Sequence, residues 1–185
     1  MKKNLLLLFA LSIIGLLNPN YLKAQAPYCA GGYTLDGCGT NDYVRSFTFN
    51  TLSNLNTACT PNPYYVLFPA TGSLTTTVTP GSIYTMTVTG ATTKPNGFGV
   101  WIDFNGNNSL TDLGELVYFT PGAYGSLTAG TIYTANILIP STATPGLTRL
   151  RVRANWQNYT NAWVEANACA TLADWGEIED YTIQI

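Results

Sequence analysis

From Tyr43 onward, Thr, Val, Ile and Tyr alternate with polar residues in short runs, the period-two pattern of strands with two unlike faces. Nine runs carry the pattern, at 43–49, 64–68, 73–79, 83–89, 98–103, 115–119, 132–139, 147–155 and 178–185. Breakers separate them: Pro80-Gly81, Lys94-Pro95-Asn96-Gly97, Pro121-Gly122, Pro140 and Pro145-Gly146. No window sustains a helical period beyond a single turn expected at 166–173. About nine strands at this spacing predict an all-β fold, an antiparallel β-sandwich of jelly-roll or immunoglobulin-like type. With no internal repeat and no linker, residues 25–185 read as a single domain.

Strand parity carries more. In Arg149-Leu150-Arg151-Val152-Arg153-Ala154 the apolar residues share one face and three arginines the other. In the final run, Glu177, Glu179 and Tyr181 alternate with Ile178 and Asp180. Opposite charges opposed across strands stabilise by roughly 0.2–1 kcal/mol each, so the acidic and basic strands are expected to be neighbours, with Arg151 set against Glu177.

The N-terminus follows a different pattern. Lys2 and Lys3 precede an apolar run at 5–17 too short for a membrane span, and small residues follow at Ala24 and Ala26. A signal peptide over 1–24 is expected, with Gln25 the first mature residue because Pro27 disfavours a cut after Ala26; an uncleaved anchor is the alternative. Either way the remainder is expected to be secreted or at the cell surface, without further membrane insertion.

Charge then narrows the partners. Lys2, Lys3 and Lys23 leave with the signal, so five of the eight basic residues remain against ten acidic ones, a net charge of about −5. Nucleic acid is an unsuitable partner for such a surface. The chain contains no histidine, which removes the usual general base, the Ser-His-Asp triad and most catalytic zinc chemistry. Cys29, Cys38, Cys59 and Cys169 allow two disulfides in any of three connectivities; a four-thiolate zinc site is the competitor, but no close C-x-x-C pair supports it.

The segment 101–115, WIDFNGNNSLTDLGE, holds the clearest chemistry. Asp103, Asn105 and Asn107 have the 1-3-5 spacing of a calcium loop, the Ser109 carbonyl falls at position 7, and Asp112 or Glu115 can close it. Asn108 stands where glycine would ease the turn, although asparagine tolerates the left-handed conformation. With one formal charge among the first three ligands, Ca²⁺ is expected to bind weakly, at about 10⁻⁴–10⁻³ M. The alternative is an Asx-rich hairpin loop held by its own side-chain-to-backbone bonds.

Two further constellations stand out. Glu177 and Glu179, at i and i+2, have a separation that could suit an inverting glycosidase pair; a structural role, or Glu179 or Asp180 joining the calcium site, is the plainer expectation. Trp156, Tyr159 and Trp163, interleaved with amides, could stack on sugar rings, or some of these rings could simply cap the sandwich.

Taken together, these motifs resemble the GEVED domain of secreted bacterial proteins. The carriers are Tyr28-Cys29, the 101–115 loop, IPSTATPGLTRLRVR at 139–153, and Cys169 followed by Gly176, Glu177, Ile178, Glu179, Asp180 and Tyr181. The family loop resembles W-I-D-x-N-x-D-G-x-F-x-D-x-G-E, so Asp103, Asn105, Asp112, Gly114 and Glu115 carry over, while Asn107-Asn108 replaces Asp-Gly. The resemblance implies a non-catalytic β-sandwich accessory module of large exported proteins. The function expected of the chain is binding of an extracellular glycan or protein surface, with a structural spacer in a larger exported protein as the alternative. A hydrolase is disfavoured by the missing histidine and nucleophile–base pair.

Overall fold

The computed structural model describes residues 28–157 and 163–185. The signal peptide expected over 1–24, and Tyr159, lie outside them. Eleven strands run in chain order, beginning with β1 (Gly32–Tyr33), β2 (Val44–Phe49), β3 (Leu52–Leu55), β4 (Tyr65–Leu67) and β5 (Ile83–Gly90). They continue with β6 (Asn96–Ile102), β7 (Leu116–Phe119), β8 (Ile132–Leu138), β9 (Leu147–Trp156), β10 (Thr171–Leu172) and β11 (Gly176–Gln184).

Two sheets face each other, a four-stranded one in the order β3-β2-β5-β8 and a five-stranded one in the order β4-β11-β9-β6-β7. Between them lies the main core, where Phe47, Phe49, Met86 and Val88 meet Phe98, Val100, Leu150, Val152 and Ile183. The pairings are antiparallel except β4 with β11 and the small pair β1–β10, which are parallel. The all-β sandwich is thus as expected, with eleven strands instead of nine. One expected strand, 73–79, is absent. It opens on a 3-10 turn at Gly72–Leu74, and only Thr77 bridges to a neighbour, Gln184. The Thr75 and Thr76 hydroxyls bond the Thr182 carbonyl and Asn50–Thr51 instead, the usual competition of hydroxyl side chains with a ladder. The three strands without a sequence signal are β1, β3 and β10, each four residues or shorter. The helical turn expected near 166 is a 3-10 turn at Glu165–Ala168.

The five-stranded sheet is covered on both faces, which explains why every residue of β6 and nearly every residue of β9 and β11 is buried. Its second cover consists of Trp101, Leu110, Trp163, Ala168 and Leu172, with Tyr28 and Tyr33 packed against them. Disulfides join Cys29 to Cys169 and Cys38 to Cys59, fixing the connectivity that the spacings left open. The first staples the chain around Tyr28 to the end of the 3-10 turn. No helix among the described residues is long and apolar enough to cross a membrane.

Candidate functional site

The motif strand β11 works through both of its faces. It pairs antiparallel with β9, so the acidic and basic strands are neighbours as expected. The register, however, sets Arg151 against Asp180 and places Glu177 opposite Ala154. Alternation then divides the motif: Asp180 points to the arginine side, and Glu177, Glu179 and Tyr181 point into the core. The expected Arg151–Glu177 pair is therefore corrected, because the two side chains project from opposite faces of one sheet.

On the arginine side, Asp180 accepts from Arg151 Nε at 2.7 Å and Nη2 at 2.8 Å, a bidentate pair, and from Arg149 Nη1 at 2.7 Å. The Tyr65 hydroxyl adds a fourth donor at 3.0 Å. Among the described residues Arg153 forms no ion pair with a carboxylate; it donates to the carbonyls of Gly32, Asn167 and Ala170 in the covering layer. Arg149, Arg151 and Arg153 lie over the rings of Tyr28, Tyr65 and Tyr33. The glycine of the motif has its own reason: a Cβ on Gly176 would collide with the Ala154 carbonyl and the Tyr33 ring.

On the core side, Glu177 accepts from the backbone N–H of Val44 at 3.0 Å and of Thr60 at 2.6 Å, tying β11 to the start of β2 and to the Cys59 segment. Glu179 accepts from the Tyr181 hydroxyl at 2.6 Å, and Asn54 donates to that hydroxyl in turn. Burial, and then the adjacent Glu177, raise Glu179 well above the carboxylate range. The arginines cannot neutralise either glutamate, being on the other side of the sheet. Asp180 and Glu179 are likewise committed to these networks and take no part in the loop chemistry.

That loop is an Asx-rich turn closed by Glu115. Asp103 is buried and accepts from Gly106 and Asn108 N–H and from the Tyr28 hydroxyl at 2.7 Å. Asn105 and Asn107 direct their amide N–H groups onto one Asp112 oxygen, at 2.7 and 2.6 Å. Their side-chain oxygens accept from the Asn107 and Ser109 N–H groups, and the Ser109 hydroxyl meets Thr111. Asn108 adopts the left-handed conformation, φ 68°. Glu115 reaches back to the Asp112 N–H at 3.3 Å.

Two buried oxygens in this loop, Glu115 Oε1 and Asn108 Oδ1, have no hydrogen-bond donor. Among the described residues, no three carboxylate or thiol groups gather into a metal site on their own. A hard cation here would therefore need neutral oxygens as well as carboxylates, which suits calcium. The orphaned pair fits that requirement. The side-chain oxygens of Asn105 and Asn107, spent on the turn, do not.

Burial, followed by the Asp103 charge, pushes the Glu115 carboxyl up to about 8. Burial likewise pushes Asp174 up to about 7 and raises Asp42 and Glu177. The folded chain consequently holds more protons than the unfolded one from about pH 4.5 to 8. The stability contributed by Glu115 and Asp174 is complete below their unfolded values and is lost as pH rises through 7 to 8.

A third arrangement lies where β9 ends and β11 begins. Trp156 and Trp175 pack edge to face with ring centroids 5.4 Å apart, and Tyr124 packs edge to face on Trp156 at 5.5 Å. Beside the two indoles is a cleft of about 250 Å³, lined also by Thr40, Asp42 and Lys94. Asp42 is held by the Thr40 hydroxyl at 2.7 Å and the Asn96 amide at 3.0 Å. Of the described aromatics proposed for sugar stacking, Trp156 lines this cleft. Trp163 is 6% exposed and packs on Trp101 in the covering layer, so it offers no face to a ligand. Sequence reasoning missed Trp175, Thr40, Asp42 and Lys94. The signal was present for Trp175, since the register that opposes Arg151 to Asp180 brings Trp156 beside it.

Comparison with known proteins agrees with the motif. The GEVED domain family model matches residues 97–184, from β6 to the end of β11. No curated protein matches the chain. One solved structure, from work on glycolipid glycan hydrolysis by a family 123 glycoside hydrolase of Clostridium perfringens, aligns at 12% identity with a TM-score of 0.28. It covers 60% of this chain and 22% of its own, a likeness too slight to carry an argument about fold or activity. The loop, the arginine strand and the GEIED strand all fall within the segment that matches the GEVED domain family.

Proposed function

We propose that the protein is a non-catalytic extracellular binding or adhesion module that holds a glycan in the Trp156–Trp175 cleft and is stabilised by calcium in the 103–115 loop. The cleft carries this reading. Two indole rings provide apolar faces for a pyranose, while the Thr40 hydroxyl, the Asp42 carboxylate and the Lys94 ammonium supply the donors and acceptors that sugar hydroxyls need. The motif carboxylates support a non-catalytic role. Glu177 and Glu179 are buried between the sheets, where no glycosidic bond could be flanked by both. Two disulfides suit an oxidising compartment, in keeping with the expected signal peptide.

A glycan array tests the binding claim. Trp156→Ala and Trp175→Ala should each abolish any array signal while leaving the melting midpoint nearly unchanged, whereas Trp163→Ala should lower the midpoint. Silence of the wild-type protein across the array would favour the spacer reading.

Calcium would be held by Glu115 and the Asn108 side-chain oxygen, the two buried oxygens of the loop left without donors, and would supply the positive charge that the buried Glu115 carboxylate lacks. Because an ion competes with the proton on Glu115, calcium should raise the melting midpoint by several degrees at pH 8 and by less at pH 6. Glu115→Gln should remove both the calcium shift and part of the fall in stability between those pH values. An unchanged wild-type midpoint in millimolar calcium at pH 8 would eliminate the metal claim and leave the glycan claim standing.

A further inference from the structure

We propose that the protein forms a two-fold dimer through strand β8, joining two four-stranded sheets edge to edge. The order β3-β2-β5-β8 leaves one side of β8 without a partner strand among the described residues. At seven residues it is the longest of the edge strands; β3, β4 and β7 have four, three and four. Natural edges of this length normally carry a lysine, a proline, an inward charge or a bulge that blocks pairing with another chain. The β8 sequence, IYTANIL, has none of these, and its register with β5 is unbroken from Ile83–Leu138 to Thr89–Ile132.

The hydrogen-bonding phase of the strand is set by Ile139, whose N–H donates to the Ser82 carbonyl at 2.9 Å. Residues alternate along an antiparallel ladder, so Ile137, Ala135 and Tyr133 also turn their backbone groups toward β5. The N–H and C=O groups of Ile132, Thr134, Asn136 and Leu138 then point away from the sheet, toward the unpaired side.

The occupant that fits is a second copy. An antiparallel β8–β8 pair with its axis at Ala135 opposes Thr134 to the other copy's Asn136 and Ile132 to the other copy's Leu138. These four positions are the ones whose backbone groups face outward, so each opposed pair can exchange its bonds. The side chains match as well. Ile132 and Leu138 are 67% and 57% exposed, each three residues from Ala135 on opposite sides. Leu138 already stands beside Ile83, which is 64% exposed, within its own sheet. Pairing would place the other copy's Ile132 on its remaining side and complete an apolar row of three at each end of the interface. An unrelated strand would need this spacing by coincidence, whereas a second copy has it by symmetry. The outer positions of β5, namely Ile83, Thr85, Thr87 and Thr89, add no charge that would oppose the approach.

Light scattering and sedimentation of the whole protein at micromolar concentration should give twice the monomer mass. A variant with Thr134→Lys and Asn136→Lys sets lysine against lysine across the axis and should be monomeric, as should its counterpart with Thr134→Glu and Asn136→Glu. Mixing the two should restore the dimer mass. If the substituted chains do not fold, hydrogen exchange of the wild type gives the answer: the Thr134 and Asn136 amides should gain protection as concentration rises, while the Ala135 amide, already bonded to β5, should not. A wild type that stays monomeric at high micromolar concentration overturns the proposal. So does a dimer that persists in the lysine variant, or one with no concentration-dependent protection at those two amides, since its interface would lie elsewhere.

Discussion

Asp180→Asn is expected to cost roughly 3–5 kcal/mol, lowering the melting midpoint by roughly 6–20 °C, although the change is nearly isosteric. Asp180 is the only carboxylate bonded to Arg149 and Arg151 among the described residues, and it takes two guanidinium contacts from Arg151, one from Arg149 and a phenol. An asparagine removes the compensating charge from two buried cations and turns one acceptor into an N–H donor facing them. Attraction in a dry interior offsets desolvation only while the geometry is complete, so removing one partner costs far more than the pair adds. The charge-swap pair Arg151→Glu with Glu177→Arg supplies a control. Each substitution should destabilise, and the double variant should show no rescue, because the side chains lie on opposite faces of the sheet. Thermal melts of the four proteins check the claim; an Asp180→Asn loss below about 1 kcal/mol would show that water reaches the site and screens it.

Replacing Cys29 and Cys169 together with serine should be the next most damaging change, and more so than replacing Cys38 and Cys59. The first bridge closes a sequence separation of 140 residues and the second one of 21. On the chain-entropy model these correspond to roughly 5 and 3 kcal/mol of lost denatured-state freedom. The long bridge also has a local task. It fixes the segment whose carbonyls at Ala168 and Ala170 accept from Arg151 and Arg153, so its loss should loosen the layer over the arginine side as well. Denaturant titrations of the two double variants test the order, and equal losses would show that the denatured chain already holds its ends together.

Much of this was legible in the sequence, for identifiable reasons. Strands that alternate cleanly were found: β5 because a half-buried pleat forces that pattern, and β9 because its two buried faces differ, one apolar and one carrying arginines. The region 73–79 also alternates, but its threonines bond sideways and the ladder never forms. Two-residue strands such as β1 and β10 leave too little pattern to read. The neighbourhood of β9 and β11 followed from opposite charge, yet charge could not choose between Glu177 and Asp180, because only the register decides which face a residue occupies. That one choice hid the aromatic cleft: with Asp180 opposite Arg151, Trp175 falls beside Trp156, and the sugar-stacking reading would have moved from Trp163 to Trp175. In the 101–115 loop the spacing disclosed the oxygens but not their use: the side-chain oxygens of Asn105 and Asn107, spaced as a calcium loop spaces its ligands, are spent on the turn.

The parallel pairing of β4 with β11 has a bearing on the order in which the protein can assemble. As the chain emerges from its N-terminus, β4 waits through more than a hundred residues for the strand that will flank it, and β9 presents Arg149 and Arg151 before their counter-ion exists. The five-stranded sheet thus has an empty slot at an interior position until GEIED arrives, and the arginines resist burial until it does. By this topology the motif is expected to act as a latch, with partial chains left open and the core closing late, on both faces of the sheet.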